Sequence, residues 1–71
     1  MEADKLIVMA NQIGDFFEAY PSKEQVEAGI AGHLKAFWNS VMINAILAHV
    51  KENDGQGLHP SVKAAIQQHL A

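Results

Sequence analysis

"SKEQVEAGIAGHLKAFWNS", residues 22–40, holds a helix start, a helical apolar period and a helix stop in one short run. Ser22 followed by Gln25 matches the capping box: the Ser oxygen accepts from the backbone N–H three residues on, and the Gln side chain reaches back. Val26, Ile30, His33 and Phe37 then recur at helical spacing, with Leu34 flanking them. Asn39 and Ser40 are both good cap residues and predict a break after Trp38. Ala28, Gly32 and Ala36 repeat at i, i+4 and i+8, with Gly29 beside them. A glycine inside a helix costs about 0.8–1.0 kcal/mol relative to alanine. Close approach of another helix is one reason to keep two of them; simple tolerance is the other.

The same grammar repeats on both sides. Upstream, Asp4 reads as the cap of a helix whose residues Leu6, Met9, Ala10, Ile13, Phe16, Phe17 and Tyr20 share one arc at ~100° per residue. Pro21 disfavours helix at Tyr20 and ends it. Ile7 and Val8 fall outside that arc, Val8 in the direction of Asp15; a lone exposed valine is ordinary, and the pair also suits a contact patch. Downstream, residues 41–52 carry Met42, Ile46 and His49 as a stripe, with Ile43 and Val50 beside it. Lys51 suits the negative pole at that helix's end. "NDGQG", residues 53–57, is a loop by composition. Pro60 suits the first position of a last helix, with His59 in the cap position and Val62, Ala65, Ile66, His69 and Leu70 on its apolar side. No stretch alternates with period two over a useful length. The expected fold is all-α: a compact bundle of four short helices forming one domain over residues 1–71.

A chain of 71 residues buries only about 60% of the surface its unfolded form exposes, so its core is marginal. Natural domains of this size often add disulfides, metals or a partner. The absence of cysteine removes disulfides and thiolate zinc sites, leaving a partner as the simplest staple and histidine-based metal binding as the second. Charged residues make up 18% of the chain, below the roughly 25% of an average domain, which predicts apolar surface left uncovered in isolation. The formal net charge is −3 and the five lysines are evenly spread, so a nucleic-acid partner is not expected. No apolar run approaches the ~20 residues of a membrane span, and the start, Met1-Glu2-Ala3-Asp4, is acidic where a signal peptide is basic. The expectation is a soluble, cytoplasmic protein.

His33, His49 and His69 each lie within the apolar arc of their own helix, a pattern that raises metal binding because zinc accepts imidazole nitrogens. Against it, no two histidines stand at i, i+3 or i+4, and no Asp or Glu lies in an apolar stripe to complete a set. The plainer account is separate for each: His49 and His69 favour helix C-termini, and His33 is a core-edge or interface ring. Catalysis finds less. The chain has no G-x-S-x-G, no phosphate-binding glycine loop and no cysteine nucleophile, and Ser22, Ser40 and Ser61 all read as caps or first-turn residues.

Three stretches together carry a resemblance: "KLIVMANQIGDFF" (5–17), "GIAGHLKAFWNSVM" (29–42) and "GLHPSVKAA" (57–65). In that order and spacing the chain resembles the small delta subunit of NAD-dependent, molybdenum-containing formate dehydrogenases. The chain departs from the family pattern at Val8, where a basic residue is common, at Asn39-Ser40, where proline is frequent, and at His59, where an acidic residue often precedes the proline. The resemblance implies a cytoplasmic hetero-oligomer. Its large (alpha) subunit carries molybdopterin guanine dinucleotide and oxidises formate, while other subunits carry iron–sulfur clusters and FMN and pass electrons to NAD. It implies an accessory, non-catalytic delta subunit with no cofactor of its own, supporting assembly, stability or activity.

On this reading the chain docks on the large subunit. Trp38 stands about 100° from Phe37 on the helix projection, off the core-facing stripe, and Trp is enriched among interface hot spots. Two roles fit it: docking anchor, or peripheral core against the third helix. Met42 and Ile43 are its expected neighbours, and Gly29, Gly32, Ile7 and Val8 complete the candidate partner surface. The alternative is a small metal- or cofactor-handling protein using His33, His49 and His69. Self-association through the Ala28/Gly32/Ala36 face, giving a homodimer when the true partner is absent, is compatible with the docking reading.

Overall fold

The computed structural model describes residues 3–71 and contains four helices: α1 (Ala3–Phe17), α2 (Lys23–Phe37), α3 (Ser40–Asn53) and α4 (Pro60–His69). No strand occurs among the described residues. The all-α bundle expected from the sequence is the fold. Its starts follow the cap chemistry. Ser22 Oγ accepts from Gln25 N–H at 3.1 Å, the serine half of the capping box, and Asn39 Oδ1 accepts from Met42 N–H at 2.9 Å. His59 occupies the cap position of α4 without a side-chain cap bond, and Pro60 follows it. Asp4 lies in the first turn of α1 and does not cap it, because the helix already includes Ala3. Helix α1 also stops at Phe17, short of Tyr20; a tighter Tyr20 N–H···O Phe17 bond (3.0 Å) turns the chain ahead of Pro21.

The α3–α4 loop begins where Asp54 takes a left-handed conformation (φ 57°), followed by Gly55 (φ 65°) and Gly57 (φ 90°). Left-handed backbone stops a helix, and glycine adopts it without a Cβ clash. The loop is tied back to α1 by Asn11, whose Nδ2 donates to Gly57 O and whose Oδ1 accepts from His59 N–H, both at 2.9 Å.

Helix α2 is the centre of the bundle and packs chiefly on α4 and α1. The core is built from Leu6 and Ala10 of α1, Val26, Ile30, Ala31 and Leu34 of α2, Ile46 of α3, and Val62, Ala65 and Ile66 of α4. Glu27 is buried among them at 4% exposure; its Oε2 has no hydrogen-bond partner, and Lys23 Nζ stands 4.0 Å away across one helical turn. Two glycines set helix distances. A Cβ on Gly14 would stand 2.4 Å from Val62 Cγ2, and one on Gly29 would stand 2.4 Å from the Phe17 ring, so each lets another helix in. Gly32 has open space where its Cβ would be, so close approach explains Gly29 and not Gly32.

Candidate functional site: an uncovered apolar groove

The apolar arcs of α1 and α2 are wider than the core they serve. On α1 the buried line is Leu6, Ala10 and Gly14; on α2 it is Val26, Glu27, Ile30, Ala31 and Leu34. Residues at one margin of each arc are left over. Met9, Ile13 and Phe16 from α1 face His33 and Phe37 from α2 across an open groove of about 760 Å³, with Phe17, Trp38 and Met42 also lining it. Phe37 is 73% exposed and Phe16 is 69% exposed. Both were expected on core-facing stripes, and both lie outside the core. Exposed apolar residues gathered in one place, unlike scattered ones, mark surfaces that other molecules cover.

The groove's aromatic side chains hold one another. Phe16 and Phe17 meet edge to face at 5.0 Å between centroids, and Phe17 also contacts the Tyr20 ring at 5.4 Å. His33 lies 4.6 Å from Phe37 and 6.3 Å from Phe17, a half-buried ring at the groove's polar point beside Gln12. Such pairs fix ring orientation before any partner arrives.

Trp38 takes the core role of its two sequence readings: it is only 8% exposed and belongs to the core cluster. The physical reason is the position of the buried line. On α2 it runs through Glu27, Ile30, Ala31 and Leu34, and Trp38, one turn past Leu34 and still donating its N–H to Leu34 O, continues it. Phe37 lies with His33 at the margin of that line and stays outside the core. Of the other residues expected at a partner surface, Met42 lines the groove, and Ile7 and Ile43 are half-buried against the core. Gly29 is filled by Phe17, while Gly32 is exposed together with Ala28 and Ala36. Val8 is exposed on the outer side of α1, where a shallow depression joins it to Met9 and Gln12.

The three histidines singled out for metal binding do not converge among the described residues. His49 Nε2 donates to Gln56 O at 2.7 Å and its Nδ1 faces Asn53 Nδ2 at 3.5 Å, which occupies both ring nitrogens. His33 is stacked in the groove, and His69, expected on the apolar side of α4, is exposed at its last position. Among the described residues, the group of potential metal ligands that does converge is Asp15, Glu18 and His59, which sequence reasoning missed. Asp15 and Glu18 are legible as an i, i+3 pair, but nothing local links them to a histidine on another helix.

The fold and this site define a small, cysteine-free helical domain with one apolar face left open. A family model for the NADH-dependent formate dehydrogenase delta subunit, FdsD, matches residues 5–66, and the chain belongs to that family. It is therefore a formate dehydrogenase subunit by family, and association with other subunits of that enzyme follows from membership. No curated protein and no solved structure matches the chain. Among the described residues, no helix is long and apolar enough to cross a membrane.

Proposed function

We propose that this chain is a non-catalytic accessory subunit of a cytoplasmic NAD-dependent formate dehydrogenase, docking through the α1/α2 groove on the large subunit that carries the molybdopterin cofactor. The observation that carries the reading is the placement of Phe16 and Phe37: two large aromatic side chains on neighbouring helices, largely exposed, above an apolar floor. Covering one such side chain is worth about 1.5–3 kcal/mol, and aromatic anchors in a pocket dominate binding energy. His33 and Gln12 supply the few polar contacts that fix register in such a surface. Electron transfer belongs to other subunits on this reading, since iron–sulfur clusters are held by cysteine thiolates and the chain has none.

The test is co-expression of the chain with the large subunit, capture on the large subunit, and assay of formate oxidation in a strain lacking the native small subunit. The double variant Phe16→Ser/Phe37→Ser is expected to keep its helical far-UV signal, to fall at least tenfold in co-purification, and to fail to restore activity. Val41→Ser, equally exposed but outside the groove, is expected to behave as the parent. Co-purification of the double variant at the parent level would remove the groove as the docking surface.

A further inference from the structure

The C-terminal turn of α1 and the start of α4 are brought together by Asn11, which holds the backbone of Gly57 and His59 from one side chain. One turn further on, Asp15 in the last turn of α1 and Glu18 just past its end, whose N–H still bonds Gly14 O, stand three residues apart and face the same way. They meet the His59 ring there. His59 Nδ1 lies 3.3 Å from Asp15 Oδ1 and 3.9 Å from Glu18 Oε2, and one ligand atom from each of the three residues fits within a span of 4.8 Å. Ser61 Oγ donates to Glu18 Oε2 at 2.8 Å and orients that carboxylate.

Both contacts are ion-pair distances, longer than a direct charge-assisted hydrogen bond. A charge-assisted N–H···O bond runs about 2.7–2.9 Å. Tetrahedral Zn²⁺, with bonds of about 2.0–2.2 Å to nitrogen and oxygen, holds its ligand atoms roughly 3.3 Å apart. The His59–Asp15 separation already has that value, and Glu18 reaches it by a small rotation of a half-exposed side chain. Two carboxylates and one imidazole make a borderline-hard donor set suited to Zn²⁺ and its first-row neighbours. The Ser61 hydroxyl holds a ligand from outside, as outer-shell partners of metal sites do.

We infer that Asp15, Glu18 and His59 form a binding site for one divalent transition-metal ion, of the Zn²⁺ class, that clips the end of α1 to the start of α4. The three residues supply three ligands, and water completes the coordination. The site is independent of the groove and of docking. In a chain without cysteine it provides the cross-link that small domains otherwise obtain from disulfides or thiolate metal sites.

The experiment is calorimetric titration of the untagged, chelator-treated full chain with Zn²⁺, with thermal unfolding followed in parallel. One equivalent is expected to bind saturably and to raise the unfolding midpoint. His59→Ala and the isosteric Glu18→Gln and Asp15→Asn are expected to weaken binding at least tenfold with the far-UV signal unchanged, and His69→Ala to leave it unchanged. Absence of saturable binding overturns the inference. So does binding that survives in His59→Ala and in both isosteric variants, or binding that His69→Ala or His49→Ala abolishes.

Discussion

A methyl group at residue 29 would stand 2.4 Å from Phe17 Cδ1 and 2.7 Å from Cε1; at residue 32 it would meet nothing within 4 Å. Both glycines sit in the interior of α2, so alanine at either gains about 0.8–1.0 kcal/mol of helix propensity. At residue 29 that gain is opposed by displacement of a ring already in contact with Phe16, Tyr20 and His33, a forced overpacking that typically costs about 1–3 kcal/mol. The expected outcome is a split in sign. Gly32→Ala raises the urea midpoint by close to its full propensity gain, and Gly29→Ala lowers it, with the denaturant slope unchanged in both. A stabilising Gly29→Ala would mean that Phe17 swings freely and that the α1/α2 spacing does not depend on a missing side chain. Sequence spacing alone could not separate these glycines, because each is compatible with the same small-residue face. Only the position of Phe17 on the opposite helix tells them apart.

At the scale of helices, starts and stops were legible because they are local chemistry. Ser22 with Gln25, Asn39, Pro60 and the glycine-rich 53–57 loop each act within a few residues, and each stands at or within a residue of its expected boundary. Faces were legible to within about one residue position. The arcs of α1 and α2 were read as wholly buried, but which part of an arc is covered depends on where the neighbouring helix crosses, and that is not local. Trp38 was left open between docking anchor and peripheral core; one turn past Leu34 it continues the buried line of α2 and takes the core role. The Asp15–Glu18–His59 cluster was illegible for the same reason as Phe37: it exists only across two helices. These elements make a paired prediction. Asn39→Ala removes the acceptor of the Met42 N–H and is expected to cost about 0.5–2 kcal/mol, shifting the midpoint while the domain stays folded. Trp38→Ala, one residue earlier, removes a buried aromatic worth about 3–5 kcal/mol. That equals what the core of so small a domain supplies, so the far-UV helical signal of the isolated chain is expected to collapse. A folded Trp38→Ala chain that has merely lost its partner would restore the tryptophan to the docking surface.

For the molecule as a whole, the proposed docking at the groove couples to the stability of the bundle in one equilibrium. A partner that binds only the folded chain stabilises it by RT ln(1 + [L]/Kd), about 2.7 kcal/mol at a hundredfold excess over Kd. Hydrogen exchange followed by mass spectrometry can read both parts of that statement in the intact complex. Amides that exchange only by global unfolding, such as those of the buried Ile30, Ile46 and Ile66 segments, are expected to slow by roughly a hundredfold at that excess, although α4 touches no part of the groove. Amides that exchange by local opening behave differently. At the ends of the helices bordering the groove, residues 14–17 and 35–42, protection is expected to exceed the global factor, because the partner covers those segments directly. The exposed far end, residues 51–54 and 67–71, is expected to keep its free rate, since local fraying there neither breaks nor makes a contact with the partner. Protection concentrated at that far end would place the large subunit on the α3/α4 side. Uniform protection with no local excess would mean that the partner selects the folded chain without covering Phe16 and Phe37. Applied to the Phe16→Ser/Phe37→Ser chain, the same measurement isolates the groove: its free-state rates are expected to match the parent, because neither side chain is in the core, while both the global and the local slowing disappear.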